Sequence, residues 1–167
     1  MRLIHKNQKG FTLIELLIVV AIFAVVAVAA NAVIVQVVQS NRTSNHMVAL
    51  RQVQQAGYRV SLDALQAQNI NVSGSGGFPL TLNWTTWGGE FHTVVYNLNS
   101  SGGLCQLERR DNQTPPTVVA QYIYFNTTSP SSTECSWNAT VLTLNVTARV
   151  GLQTESRTYE IKPRPSV

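Results

Sequence analysis

Lys9 to Val38 reads KGFTLIELLIVVAIFAVVAVAANAVIVQVV, and this stretch limits the chain more than any other. From Phe11 to Ala30 every residue is apolar except Thr12 and one acid, Glu15. Past Asn31 the run stays apolar to Val38, broken only by Gln36. About 20 such residues let a helix cross the hydrocarbon core of a bilayer. An ionised carboxylate inside such a run costs roughly 2.5–3.5 kcal/mol on insertion scales, so Glu15 calls for a partner or a wet membrane edge.

The order of residues is more specific than the hydropathy. A basic leader ends in Lys9-Gly10, Phe11 follows, and Glu15 stands four residues further on, in register with the apolar helix. This string resembles the prepilin signal of type IV pilins and type II secretion pseudopilins. The resemblance implies that a membrane peptidase cuts between Gly10 and Phe11 and methylates the new amine of Phe11. It also implies that Glu15 serves assembly: a cationic terminus on one subunit meets the acid on a neighbour. At low dielectric such a pair is strong, although desolvation takes back much of the gain. Its best use is to fix register, because an axial slip strands a buried charge.

The chain has 167 residues, which suits one compact domain plus an anchor. Its formal net charge is +4, but Arg2, Lys6 and Lys9 precede the proposed cut. Without them nine Lys and Arg face eight Asp and Glu, so the body is close to neutral. The positive flank keeps the leader in the cytoplasm and exports the C-terminal body. We therefore expect a single-pass protein of the inner (cytoplasmic) membrane, with its body outside and, after assembly, on a periplasmic or cell-surface filament. Cys105 and Cys135 then lie in an oxidising compartment and are expected to pair as a disulfide.

The pattern divides the chain into six segments. Residues 1–10 are the leader and 11–40 the membrane or filament-core helix. Residues 41–68 continue that helix in amphipathic form, since no proline occurs from Phe11 to Ala67 and the first glycine is Gly57. Met47, Leu50, Val53, Gly57, Val60 and Ala64 recur at spacings of three and four, one helical face. Residues 69–77, NINVSGSGG, read as a glycine- and serine-rich linker. Residues 78–162 form a sheet domain and 163–167 a tail.

Within the sheet domain, strands are expected near 80–85, Glu90–Asn97, Leu104–Arg110, Val118–Phe125, Thr140–Val150 and on to Ile161. Asn126–Thr133 reads as a polar loop leading to Cys135 and Trp137. The cleanest alternation is Leu142, Leu144, Val146 and Ala148 against Thr143, Asn145, Thr147 and Arg149, the mark of an antiparallel sheet apolar on one face. The fold class is thus α+β: a long N-terminal helix packed on a C-terminal antiparallel sheet, similar to the pilins. The apolar half holds Ala24 and Ala32 and no helix breaker, where major pilins often carry glycine or proline. That, with the order of the later strands, most resembles minor pilins or pseudopilins of the J or W kind.

No motif for catalysis is present: no GxSxG, HExxH, CxxC or phosphate loop. The chain reads as a non-enzyme without cofactor or metal. His92 reads as a packing or surface residue, and Glu108-Arg109-Arg110-Asp111 as a solvated strand end. The resemblance implies sister pilins or pseudopilins, a prepilin peptidase, a platform protein and an assembly ATPase as partners, with membrane lipid before assembly. The expected role is a minor structural subunit in filament initiation or at the tip. The alternative is a tip subunit that binds a surface or DNA. For DNA the chain offers Arg109, Arg110, Arg149, Arg157, Lys162 and Arg164 with Trp84, Trp87 and Trp137, a scattered footprint on a near-neutral body. An exported enzyme that borrowed the signal is a third reading.

Overall fold

The structure is a computed structural model that describes residues 11–101, 104–112, 114–126 and 132–163. It divides into two units, Met1–Asn41 and Arg42–Val167. One helix, α1, runs over Leu13–Gln66. Among the described residues eight strands come after it: β1 (Asn69–Val72), β2 (Leu80–Thr85), β3 (Phe91–Ser101), β4 (Leu104–Asp111), β5 (Thr117–Ile123), β6 (Glu134–Trp137), β7 (Leu142–Val150) and β8 (Gln153–Ile161). A long N-terminal helix followed by an antiparallel sheet is the expected α+β class.

In the first unit the described side chains, from Phe11 to Asn41, are all exposed. This part of α1 is long and apolar enough to cross a membrane. Its polar interruption at Asn31 is handled locally: Asn31 Nδ2 donates to the Ala27 carbonyl one turn back, at 2.9 Å. One donor of a side-chain amide inside an apolar helix is thereby paired within the helix itself.

In the second unit α1 buries Ala49, Val53, Ala56, Gly57, Val60, Asp63 and Ala64. Val53, Gly57, Val60 and Ala64 of the expected face are buried, and the face departs from expectation at its N-terminal end. Met47 is 56% exposed and Leu50 half-buried, while the small residues Ala49 and Ala56 take their place. The reason is close approach. A Cβ added at Gly57 would sit inside the Tyr159 ring, whose hydroxyl donates to the Val53 carbonyl at 3.2 Å. Only small side chains let the helix come that near to β8.

The sheet is antiparallel throughout, in the order β1-β2-β3-β4-β5-β7-β6, with β8 also on β7. Leu144 pairs both Cys135 and Tyr159, and Ala148 pairs both Ile123 and Glu155. So β6 and β5 share one edge of β7, and β8 takes the other. Leu80, Leu82, Trp84, Val94, Tyr96, Leu107, Ile123, Leu142, Leu144, Val146 and Ala148 fill the core beneath. At the β7–β8 turn Gly151 takes φ +57 with the Asn45 side chain beside it, a left-handed conformation costly for other residues.

Two segments differ from expectation. Residues 69–77 are ordered rather than a plain linker: β1 pairs with β2 from Asn69↔Asn83 to Val72↔Leu80, and a short 3-10 turn covers Ser75–Gly77. The signal was there in Ile70 and Val72, alternate apolar residues masked by the glycines beside them. Ile70 is buried against the core. The region around Cys135 and Trp137 is a strand, β6, paired with the start of β7. The tail beyond Pro163, part of the expected polar loop and the leader lie outside the described residues.

Candidate processing and assembly site

The helix begins with Thr12-Leu13-Ile14-Glu15, and its first turn is closed by those two polar residues. Glu15 Oε2 accepts from the Thr12 N–H at 3.0 Å and from the Thr12 hydroxyl at 2.9 Å. The Glu15 N–H in turn points at Thr12 Oγ1, 3.4 Å away. This reciprocal arrangement is a capping box, which satisfies backbone donors that a helix start leaves orphaned. The T-x-x-E spacing announces it, beside the assembly role expected of Glu15. Glu15 therefore does not sit naked in the apolar run. Phe11, one residue before Thr12, is exposed. Gly10, on the other side of the expected cut, lies outside the described residues.

The second unit holds a buried ionic group that ties α1 to the sheet. Asp63 is 5% exposed. It accepts from Arg109 Nε at 2.6 Å and from the Tyr96 hydroxyl at 2.5 Å. Arg109 also reaches Asp111 Oδ2 at 3.1 Å, and its side chain is only 12% exposed. Burial opposes the guanidinium charge, but the Asp63 hydrogen bond and charge outweigh it and hold Arg109 above its ordinary pKa. Burial, then the Asp63 contact, likewise pushes the Tyr96 hydroxyl up. Arg109 is thus no part of a solvated strand end, and its charge is committed to Asp63 and Asp111 rather than free for a phosphate. His92 stacks on Trp84 with ring centroids 5.3 Å apart. Its nitrogens lie 3.5 Å from Asp111 and 3.7 Å from Glu90, so it is a packed side chain beside two acids.

Cys105 and Cys135 are both buried free thiols, so the expected disulfide is absent. The topology explains this. β5 and β6 lie on the same edge of β7: Cys105 pairs Ile123, which pairs Ala148, while Cys135 pairs Leu144, four residues away along β7. Four residues of strand come to about 13 Å, whereas a disulfide needs Cα atoms within about 7 Å. Burial pushes the Cys135 thiol up to about 12. In the unfolded chain a thiol titrates near its usual value, about 8.5. Between those values the unfolded chain releases a proton that the folded one keeps, so raising the pH favours unfolding. Cys135 alone should lower stability by about 1.4 kcal/mol per pH unit above about pH 9. Urea midpoints measured across that range should show this slope, reduced in Cys135→Ala. Equal slopes in the two proteins would refute the assignment.

Residues 5–31 match the family model described as the prokaryotic N-terminal methylation motif. The stretch is a prepilin signal of the type IV pilin and pseudopilin kind. It implies processing by a prepilin peptidase and assembly with other pilins, and it suggests a structural role rather than an enzyme. The prepilin signal and the apolar start of α1 together fit a membrane-anchored protein. No curated protein and no solved structure matches the chain.

Proposed function

We propose that this chain is a minor prepilin-like structural subunit. It is cut between Gly10 and Phe11, methylated on the Phe11 amine, and built into a type IV pilus or a type II secretion pseudopilus, at filament initiation or at the tip. The observation that carries the reading is the prepilin signal at residues 5–31, set on a helix whose first turn places Glu15 four residues from the new terminus. The cut leaves a cation on Phe11. On a neighbouring subunit that cation finds Glu15, already oriented by Thr12.

Before assembly, residues 11–40 anchor the protein in the inner membrane and the body is exported. The minor role is supported by the unbroken run of α1 over Leu13–Gln66, with no glycine or proline to loosen its apolar half. Residues 41–68 carry the sheet domain. A platform protein and an assembly ATPase complete the set of partners. Nothing in the arrangement of Arg109 or in the stack of Trp84 on His92 favours the DNA-binding alternative.

Mass spectrometry of the protein recovered from a host with an active prepilin peptidase tests the cut and the modification together. The expected N-terminal peptide begins at Phe11 and carries one added methyl group. A mature protein that retains Met1 through Gly10 overturns the proposal.

A further inference from the structure

The β7–β8 hairpin turns at Gly151 and Leu152, and Leu152 is 90% exposed. A single exposed leucine is ordinary on a protein surface. This one is set apart by where the fold puts it. Gly151 faces the Asn45 side chain. From there β8 follows α1: Glu155 Oε1 lies 2.8 Å from His46 Nδ1, and the Tyr159 ring lies on Gly57. The turn therefore stands at the end of the body where α1 enters. The Thr86–Glu90 turn, which carries Trp87, stands at the opposite end, where the Gln68 side chain accepts from the Thr85 N–H at 3.2 Å. From Asn45 to Gln66 α1 rises about 30 Å.

The entry end is also the end that follows the apolar run. As helix, Phe11 to Val38 rises about 42 Å, against about 30 Å of hydrocarbon. An apolar helix longer than the layer tilts, kinks or thickens the bilayer around it, and each of these keeps Val38 at the edge of the oil. Asn45 comes seven residues after Val38. That is about 10 Å of helix, less once it tilts. The headgroup region is about 5–8 Å deep on each side. The Gly151–Leu152 turn, beside Asn45, is thus brought down to the headgroups.

The charges suit that place. Arg42, one turn before Asn45, and Arg149, two residues before Gly151, are both exposed. Neither is in an ion pair among the described residues. The acid nearby, Glu155, is held against His46. A leucine between two arginines is what an anionic headgroup layer takes up: the apolar tip reaches the acyl boundary while the cations stay with the phosphates. A protein partner needs a broader apolar core than this turn offers.

We propose that, before assembly, the Gly151–Leu152 turn docks on the anionic surface of the membrane that holds α1, on its exported side. Leu152 sits at the acyl boundary, and Arg42 and Arg149 meet lipid phosphates. This second contact fixes the rotation of the body about α1, which a lone helix leaves free. The inference rests on the anchoring of residues 11–40.

The test uses the full mature chain, from Phe11, in phosphatidylethanolamine vesicles with and without phosphatidylglycerol. Flotation with the vesicles reads the anchor by itself, and a chain that does not float ends the anchoring reading and this one with it. In chains that float, hydrogen exchange followed by mass spectrometry reads the turn. With phosphatidylglycerol present, and corrected for intrinsic rates, the Gly151 and Leu152 amides should exchange about tenfold more slowly than in Leu152→Ser, the least that burying one leucine supplies. Leu152→Phe should keep the slow exchange. The Thr86–Glu90 turn should exchange alike in all three chains. The proposal is overturned by a floating parent whose turn exchanges as fast as that of Leu152→Ser, by slowing indifferent to phosphatidylglycerol, or by slowing that grows with the protein-to-lipid ratio, the mark of a second copy.

Discussion

Asp63→Ala should destabilise the body by about 3–5 kcal/mol, the range for breaking a buried ion pair by removing one partner. The side chain is buried, and two groups depend on it. Without it, among the described residues, the Arg109 guanidinium keeps Asp111 and the Tyr96 hydroxyl keeps the Arg59 carbonyl at 3.3 Å. The loss is large because a charge remains in a place built for a pair. The double variant Asp63→Leu with Arg109→Met removes both charges and should recover most of the stability, since an apolar pair of similar volume often replaces a buried ion pair at no net cost. Urea denaturation followed by tryptophan fluorescence reads both proteins. A single variant within about 1 kcal/mol of the parent would show that Arg109 finds water easily.

Glu15→Gln should leave processing intact and cut incorporation into filaments about ten- to hundredfold, in a host lacking the wild-type copy. A hydrogen bond to a charged group contributes about 1.5–3 kcal/mol, and the substitution removes that charge alone. Glutamine serves a capping box as well as glutamate does. It can keep the bonds to the Thr12 N–H and hydroxyl. Thr12→Ala is the complementary change: it loosens the helix start and leaves the carboxylate. If capping were all that Glu15 supplied, Thr12→Ala would be the more damaging substitution and Glu15→Gln would assemble normally. Yield of the subunit in sheared filaments, normalised to its membrane pool, distinguishes the two.

The long helix and the strands of the large hairpin were legible because each rests on one uninterrupted period. No proline or glycine occurs from Phe11 to Ala56, and Leu142, Leu144, Val146 and Ala148 alternate without a lapse. The misses have a common cause, in that they depend on how close two elements lie. Ala49 and Ala56 look indifferent in sequence, and they face the core only because Gly57 lets Tyr159 against the helix. Arg109 sits in a run of mixed charges, and nothing local reveals that Asp63 waits 46 residues earlier on the helix. The cysteines were judged by compartment, yet where their partners fall along β7 decides whether two thiols can meet. At the N-terminus the prepilin signal is legible because its residues are close in sequence, and the capping box because Thr12 and Glu15 lie within one turn of helix.

The apolar reach of α1 has a consequence for leaving the bilayer. Phe11 to Ala30 spans about 30 Å at 1.5 Å per residue, the thickness of the hydrocarbon layer. Ala32 to Val38 continues the grease for about another 10 Å beyond it. On the proposed reading, drawing the helix outward by two turns takes about seven more apolar residues out of the layer at its outer end, where sister helices must cover them, and carries Asn31, already bonded to Ala27, towards water. At the inner end the terminal amine and Glu15 must enter oil. On the proposed reading, a waiting neighbour that neutralises those two charges removes most of the barrier to extraction, so the growing fibre itself would act as the solvent into which the rod is withdrawn.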